Sequence, residues 1–524
     1  MKYNKPDPSA NKGEIERLFM AMDAEKGDLV ARCRMYAAWT IPALVPPEGG
    51  EVSKTVTSYI RQGPRLVNSL ANKVVEAMFP QSRPFFAVGL NPEIEKKIRS
   101  EIGEEEAAEA NVQVDNEARY LEKYAMSKMN LLQYRPRAVE AAQLLIVTGN
   151  SVIRRLSTGD RIVYNVADYG ARRNIAGGVY DIVFRDLMGY EELPDEAKQI
   201  AMLKQKGQQS YYADSRTAKY PFFTRLYRDG NVWRQMHEVC GVVLPEKSTF
   251  SDTDVPFIDL VWSLPRGYNY ARGLVEELAN TFHNLNTLSE SIIDISNMLA
   301  DIKWVVGPNS MLDVNALNNS PRGSFHAGNA TDVQALMAEK ARELQALDAL
   351  QNSAELELAK SFLMQSGSVR DAERVTAYEV QLNALELEGA FGGLYSRLAL
   401  AWQDKEARYL MSTIALQSVA KNLLSIKIVT GIENLSRETA LSAFRAAIGD
   451  LAGFDAVPED IRAAMNPTKV SNFVFSNRGL DFKMLAYTKA EVDAMKQQEM
   501  QQQQQLGAQQ VAMQAAVRPD SGGA

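Results

Sequence analysis

At 524 residues the chain is longer than a single hydrophobic core usually grows, so two or more structural regions are expected. Its 46% hydrophobic and 23% charged residues, with a mean hydropathy of -0.25, exclude general disorder. A formal net charge of -7 and a pI near 5.4 exclude a protein that grips nucleic acid over a broad basic surface.

The N-terminal text MKYNKPDPSANKGEIERLF has no apolar signal-peptide core, and no uninterrupted apolar stretch of about 18 residues occurs anywhere. Cys33 and Cys240 are the only cysteines, too few for a disulfide framework or a four-cysteine zinc site. A chain of the reducing cytosol, without a membrane span, is expected. From Pro64 to Phe79, PRLVNSLANKVVEAMF sets Val67, Leu70, Ala71, Val74, Val75 and Met78 on one helical face, and Pro80 ends the run. A helical stretch from about Glu104 to Ala142 follows. LLIVTGNSVIRRL then turns at Thr148, Gly149 and Asn150 from a buried apolar segment into a strand.

Between Ser151 and Asp186 the β-branched runs SVIRRL, RIVYNVADYGARR and VYDIVFRD read as strands separated by Thr158-Gly159-Asp160 and Gly177-Gly178. FFTRLYR and NVWRQMHEV, joined by Asp229-Gly230, form a second hairpin. The fold class is α+β, predominantly helical. From Gly273, LVEELANTFHNLNTLSESIIDISNML runs about 26 residues, or ~39 Å, without a breaker. Leu285, Leu288, Ile292, Ile295 and Leu299 recur by threes and fours, a narrow seam suited to helix-on-helix packing.

A turn-rich excursion follows, with strand candidates at Lys303 to Val306 and around Ser324 to His326. Thr331 and Gln334 form a capping box, so a second long helix is expected from there to about Met364, with Val333, Leu336, Met337, Leu344, Leu347 and Leu350 inward. The two helices and the excursion make a protruding hairpin. Gln365, Ser366, Gly367 and Ser368 interrupt the helical text. Another long helix then starts at Glu373, loosened at Gly389, Gly392 and Gly393. Beyond about Lys421 come short helices, SRETALSAFRAAIGDL and PEDIRAAM, and a Gln- and Ala-rich tail that is helical at first and disordered by Arg518.

The sequence holds no G-x-x-x-x-G-K-[ST], G-x-G-x-x-G, G-x-S-x-G or H-E-x-x-H motif, so no enzyme activity, cofactor or metal is expected. His237, in a strand, and His283, in a helix, read as structural; His326, in the excursion, could touch a partner or a phosphate. The glutamates of GEEEAAEA suit a helix start and face water. Met126 and Met129 suit adaptable contacts, with core filling the commoner use.

The order of YAAWTIPALVPPEGGE, NSLANKVVEAMFP, LLIVTGNSVI, GLVEELANTFHNLNTLSESIIDIS, ERVTAYEVQLNALELEGAFGGLYSRLA and GLDFKMLAYTKAEVDAMKQQEMQQQ resembles that of the head-to-tail connectors, or portal proteins, of T7-like short-tailed bacteriophages. The resemblance covers nearly the whole length. It implies a portal fold: an α/β wing at 1–272, stem helices at 273–300 and 331–363 flanking a small clip at 301–330, a tunnel loop at 364–372, a wing helix and C-terminal wing at 373–425, a helical crown at 426–486 and a tail at 487–524. It implies a virion component at one capsid vertex, assembled in the host cytoplasm as a homo-oligomeric ring, usually of twelve. The implied partners are double-stranded DNA in the channel, terminase, tail proteins, and scaffolding, major capsid and internal core proteins.

Carried onto these residues, the resemblance makes Gln365, Ser366, Gly367, Ser368, Val369, Arg370 and Asp371 the loop facing DNA, where small polar residues supply mobility without a bulky anchor. An ordinary interhelix connection is the alternative. Lys303, Trp304, Arg322 and His326 fall in the clip, as docking or phosphate-contact residues. Lys303, Arg322 and Arg370 serve equally well as partners for a neighbouring subunit's carboxylate. A metal-dependent nuclease and a non-channel helical scaffold or adaptor remain alternatives to the conduit.

Overall fold

The structure is a computed structural model that describes residues 13–47; 58–300 apart from 82–83, 91, 103, 157 and 208–218; 303–306, 313, 315, 318–321 and 333–336; 341–364; 389–413 apart from 392; 424–428; and five positions beyond. The chain divides into two compact units, Met1–Gly431 and Ile432–Ala524. Apart from those five positions, which are helical, the expected crown helices and the Gln-rich tail lie outside the described residues, so the elements below belong to the first unit.

Its centre is helical. Helices α1 (Glu14–Glu25) and α2 (Leu29–Trp39) precede α3 (Gly63–Met78), whose face Val67, Leu70, Ala71, Val74, Val75 and Met78 is buried as its 3.6-residue spacing requires. After strand β1 (Phe86–Leu90) and helix α4 (Pro92–Ile102), the helical stretch expected to run unbroken to Ala142 is two helices, α5 (Glu104–Leu131) and α6 (Tyr134–Thr148). Gln133 is left-handed at the junction (φ 48°), and Pro136 sits in the first turn of α6, where its missing N–H costs nothing. The last five residues of α6 are all buried, the signature of a helix covered on every side. Met126 and Met129 fill core.

Gly149, left-handed at φ 77°, ends α6 and starts β2 (Asn150–Arg155). This strand pairs antiparallel with β3 (Arg161–Tyr164) and with β9 (Phe257–Val261). The text RIVYNVADYGARR is not one strand. Asn165 Oδ1 accepts from the Ala167 N–H at 2.8 Å, an Asx turn that sends β4 (Tyr169–Arg173) into a different sheet. That sheet is a five-stranded meander: β4, β5 (Val179–Gly189), β6 (Lys219–Asp229), β7 (Val232–Val239) and β8 (Val242–Ser251), with β6 and β7 turning at Asp229-Gly230 as expected.

Neighbouring residues of β5 point to opposite faces, and both faces are covered. Val183 packs with Phe223 against Ile15, Phe19 and Met22 of α1; Ile182 and Phe184 pack with Leu226, Trp233 and Phe257. Helix α7 (Asp195–Gly207) covers a third patch, with Ala197 and Ala201 on Phe222, Val239 and Leu244.

The long helix expected from Gly273 breaks at Leu278 into α8 (Leu274–Glu277) and α9 (Ala279–Ala300). The capping box at Thr331 does not start a helix. Strand β11 (Val333–Leu336) pairs antiparallel with β10 (Lys303–Val306), in register Lys303↔Leu336 to Val306↔Val333, and the next helix, α10, is Ala341–Ser361. VQAL is weakly committed by its own propensity, and the valines of KWVV supply the ladder that decides it. The strand candidate around Ser324 to His326 lies outside the described residues. Leu344 and Leu347 are partly buried, but Leu350, expected inward, is 57% exposed.

The helix expected from Glu373 is described only from Gly389. Gly393 is left-handed there (φ 83°), followed by α11 (Leu394–Leu398), a π-helical segment (Ala399–Asp404) and α12 (Lys405–Thr413). Strand β12 (Leu424–Ile428) then returns to pair with β1.

Candidate functional site

The hairpin of α9 and α10 is rooted by aromatic packing. Phe282 stacks on Trp39 of α2 with centroids 6.2 Å apart and meets Phe362 edge-on at 6.0 Å. Phe282, Leu285, Leu358 and Phe362 all join the central core. Polar clamps add direction: Asn286 Oδ1 accepts from the Tyr59 N–H at 3.0 Å and from Ser58 Oγ at 3.2 Å, and Gln62 Nε2 donates to Glu355 at 2.5 Å.

Towards the tip the packing thins. Leu285 is buried, but Leu288, Ile292 and Ile295 are only partly covered, and Met298 (59%) and Leu350 stand exposed. His283, Thr287, Leu288, Leu350, Ser353 and Glu357 line a groove of about 560 Å³ between the two helices. The side chain of Leu299 lies outside the described residues, as do those of Lys303 and Trp304, whose backbones sit in β10 opposite Leu336 and Ala335. Arg322 and His326 lie wholly outside. The seam therefore splits: its base is core, and its upper part is surface.

Residues Gln365, Ser366, Gly367, Ser368, Val369, Arg370 and Asp371 also lie outside the described residues, but the N-terminal root of that segment is visible, and the chain is described again from Gly389. The N-terminal root is a Schellman closure of α10. The Met364 N–H reaches back to the Ala359 carbonyl at 2.7 Å and the Leu363 N–H to that of Lys360 at 3.0 Å, with Leu363 left-handed at φ 54°. Lys73 of α3 donates to the Leu363 carbonyl at 2.6 Å. This closure carries no glycine, so the sequence gives no sign of it. On the C-terminal side, Phe391 packs on Trp262 at 4.9 Å, Arg397 donates to the Trp262 carbonyl at 3.0 Å, and Tyr395 donates to the Ala77 carbonyl at 3.2 Å. The N-terminal root and the chain from Gly389 rest on the same core around α3.

Further along, Arg161 of β3 pairs with Glu406 of α12, and both side chains are buried. Tyr134 accepts from Trp402 Nε1 at 2.6 Å, and the Arg161 guanidinium lies 4.8 Å from the Tyr134 ring. Burial holds the Tyr134 phenol well above its ordinary range. It also pulls the Lys405 ammonium below its own. Burial is the largest influence on the Arg161 charge and opposes it, but Glu406, Tyr134 and Tyr409 together outweigh it, and the guanidinium stays above its usual value. The arrangement locks a helix to a sheet across the sequence and presents no reacting group to solvent. His237 meets Thr224 and Gln235 within the five-stranded sheet, and Cys33 is buried. Among the described residues, no group of three or more His, Cys, Asp and Glu side chains converges as a metal site, and no helix is long and apolar enough to cross a membrane.

The sequence profile of the family described as "Bacteriophage head to tail connecting protein" matches residues 12–414, which take in the entire hairpin and the segment that follows it. The chain is similar to the portal protein of Enterobacteria phage SP6, 27% identical over 505 residues, covering 96% of this chain and 94% of that one. It is similar to the portal protein of Escherichia phage T7 at 26% identity over 514 residues, covering 94% and 92%. Among solved structures, a chain from the virion of a native gene transfer agent particle aligns over 80% of this chain and 89% of its own, at 11% identity and a TM-score of 0.36.

Proposed function

The chain belongs to the bacteriophage head to tail connecting protein family, and from that premise we propose that it is a portal: a ring of copies at one capsid vertex through which double-stranded DNA enters and later leaves. The observation that carries this reading is the near full-length match to proteins named portal proteins. The projecting hairpin supports it, since a channel wall needs long elements standing clear of the core.

The finer assignments belong to the same proposal. The hairpin of α9 and α10 is the stem, and the excursion between β10 and β11 is the clip, where terminase and then tail proteins dock. Residues 365–372 form the loop that meets DNA, and the wing and crown face scaffolding, major capsid and core proteins. No catalytic step is assigned to the chain, and the energy for packaging comes from the terminase.

The acidic balance suits this work. A protein that neutralises 6 to 10 phosphates binds DNA strongly enough to lose roughly 10³ to 10⁵ in affinity between 50 and 200 mM salt. A conduit must let phosphates slide past with little energy per step. A charge of -7, repeated around a ring, keeps the wall from holding its cargo. Negative-stain microscopy of the purified chain tests the reading. Rings with a central hole wide enough for a duplex are expected; rods, or globules without a hole, reject it in favour of a non-channel scaffold.

A further inference from the structure

Helix α5 is apolar on two opposite faces. Ala118, Ala125, Met126 and Met129 are buried in the central core, and Glu122 between them accepts from the Val88 N–H of β1 at 2.8 Å. At about 100° per residue, Tyr120, Tyr124 and Leu131 fall within roughly 60° of one another on the far side. They are 69%, 51% and 80% exposed. Arg119 and Lys123 stand beside them, also exposed. A solvent-facing helix side is ordinarily polar, so a stripe of two tyrosines and a leucine flanked by cations marks a contact surface. Aromatic residues and arginine are enriched at such surfaces.

The same helix supplies the complement. From Glu104 to Ala118 its sequence holds Glu104, Glu105, Glu106, Glu109, Asp115 and Glu117 without one Lys or Arg. From Arg119 to Leu131 it holds Arg119, Lys123 and Lys128 against Glu122 alone. A ring of more than two copies closes through heterologous contacts, in which one surface of a chain fits a different surface of its neighbour. A helix acidic in one half and cationic-aromatic in the other carries both surfaces.

Resting on the portal reading, we propose that the Arg119–Tyr120–Lys123–Tyr124 stripe of α5 is an intersubunit contact that takes the acidic half of α5 from an adjacent copy of this chain. Opposite charges set the register and like charges disfavour slipped pairings, while the tyrosines bury area at small entropic cost.

Mass photometry of the full chain and its charge-reversed variants tests this. R119E/K123E is expected to lower the ring fraction by roughly tenfold or more, as when attractive pairs across a contact become repulsive. Adding E105K/E109K to the same chain restores complementarity and is expected to restore rings. Arg119 and Lys123 are solvent-exposed, and an unchanged thermal melt of each variant checks that the fold survives. Tyr120→Ser/Tyr124→Ser is expected to weaken rings without a charge effect. Wild-type rings that ignore R119E/K123E overturn the contact alone, as does a loss that E105K/E109K fails to repair. A variant that still forms rings but loses binding to a short duplex DNA overturns it in favour of nucleic acid. A wild-type chain that stays monomeric defeats the ring reading itself.

Discussion

Gly149 and Gly273 meet backbone against backbone. A Cβ on Gly149 would lie 2.3 Å from the Arg272 carbonyl carbon, and one on Gly273 would lie 2.6 Å from the Gly149 amide nitrogen. Asn150, fully buried, joins the two segments: its Nδ2 donates to the Ala271 carbonyl, and its Oδ1 accepts from the Ala271 N–H, each at 2.8 Å. The point where the sheet region hands over to helices α8 and α9 is thus a glycine contact stapled by one amide.

Gly149→Ala is expected to cost roughly 2–5 kcal/mol, a left-handed penalty of about 1–2 plus an overpacking penalty of about 1–3. Gly230 is also left-handed (φ 62°), but nothing lies within 4 Å of its added Cβ. Gly230→Ala should therefore show the backbone term alone. Urea midpoints of the two variants separate the effects, and equal losses would show that close approach at Gly149 does not matter.

The Arg161–Glu406 pair makes a second expectation. Removing one member leaves the other charge buried, so Glu406→Leu should cost about 3–5 kcal/mol. The double variant Arg161→Met/Glu406→Leu should recover most of that loss, because an apolar pair of similar size removes the desolvation cost from both sides. A double-mutant cycle on unfolding free energies checks it, and additive losses would contradict a direct pairing.

Glu238 should tune stability with pH. Its carboxylate accepts from the N–H groups of Ile15 at 2.6 Å and Glu16 at 3.3 Å, capping α1 from β7. Burial nevertheless raises its pKa above the ordinary 4.5, more than those two hydrogen bonds lower it. The folded state then holds a proton that the unfolded state has released, so this group's contribution falls as pH rises from about 4.5 through the raised folded value. Glu238→Gln should remove that part of the slope. An unchanged slope between acidic and neutral pH would contradict the assignment.

Cys33 and Cys240 should differ in reactivity. Burial pushes the Cys33 thiol up to about 12, with Glu276 adding to the effect, so almost no thiolate exists at neutral pH. Cys240 is only partly buried. Under native conditions a thiol-specific reagent should modify Cys240 first and Cys33 only on unfolding, as mass spectrometry of timed samples would read.

How much of this was legible in the sequence depends on where the deciding partner lies. Helix α3 could be read because its buried face repeats within its own 16 residues, and the β6–β7 turn because Asp229-Gly230 encodes it locally. Val333–Leu336 could not, since its strand state is fixed by Lys303–Val306, far back along the chain. Leu363 and Gln133 take left-handed conformations that their side chains do not advertise. On the hairpin, periodicity found the seam of Leu285, Leu288, Ile292 and Ile295. It could not tell that Leu285 alone among them is core, because periodicity records a face and not its depth.

That depth gives a graded expectation for the seam. Leu285→Asp places a charge in the core and should unfold the chain, a loss well above 3 kcal/mol. Leu288→Asp/Ile295→Asp changes residues only partly covered in one copy, so the melt should shift little while ring yield falls. Rings at wild-type yield would remove this upper seam from the contact between copies.

The final expectation concerns residues 365–372. Their N-terminal root is closed by the Schellman geometry at Leu363 and held by Lys73, and the chain beyond is held by Phe391 on Trp262 and Tyr395 on Ala77. Neither set of contacts draws on the segment itself. Replacing Gln365 to Ala372 by a short Gly/Ser linker should therefore leave folding and ring formation intact while lowering DNA packaging or retention in an assembled particle. Microscopy of the purified variant reads the first part, and packaged DNA per particle reads the second. Loss of rings would make the segment an assembly element, and rings that package at the wild-type level would make it an ordinary interhelix connection.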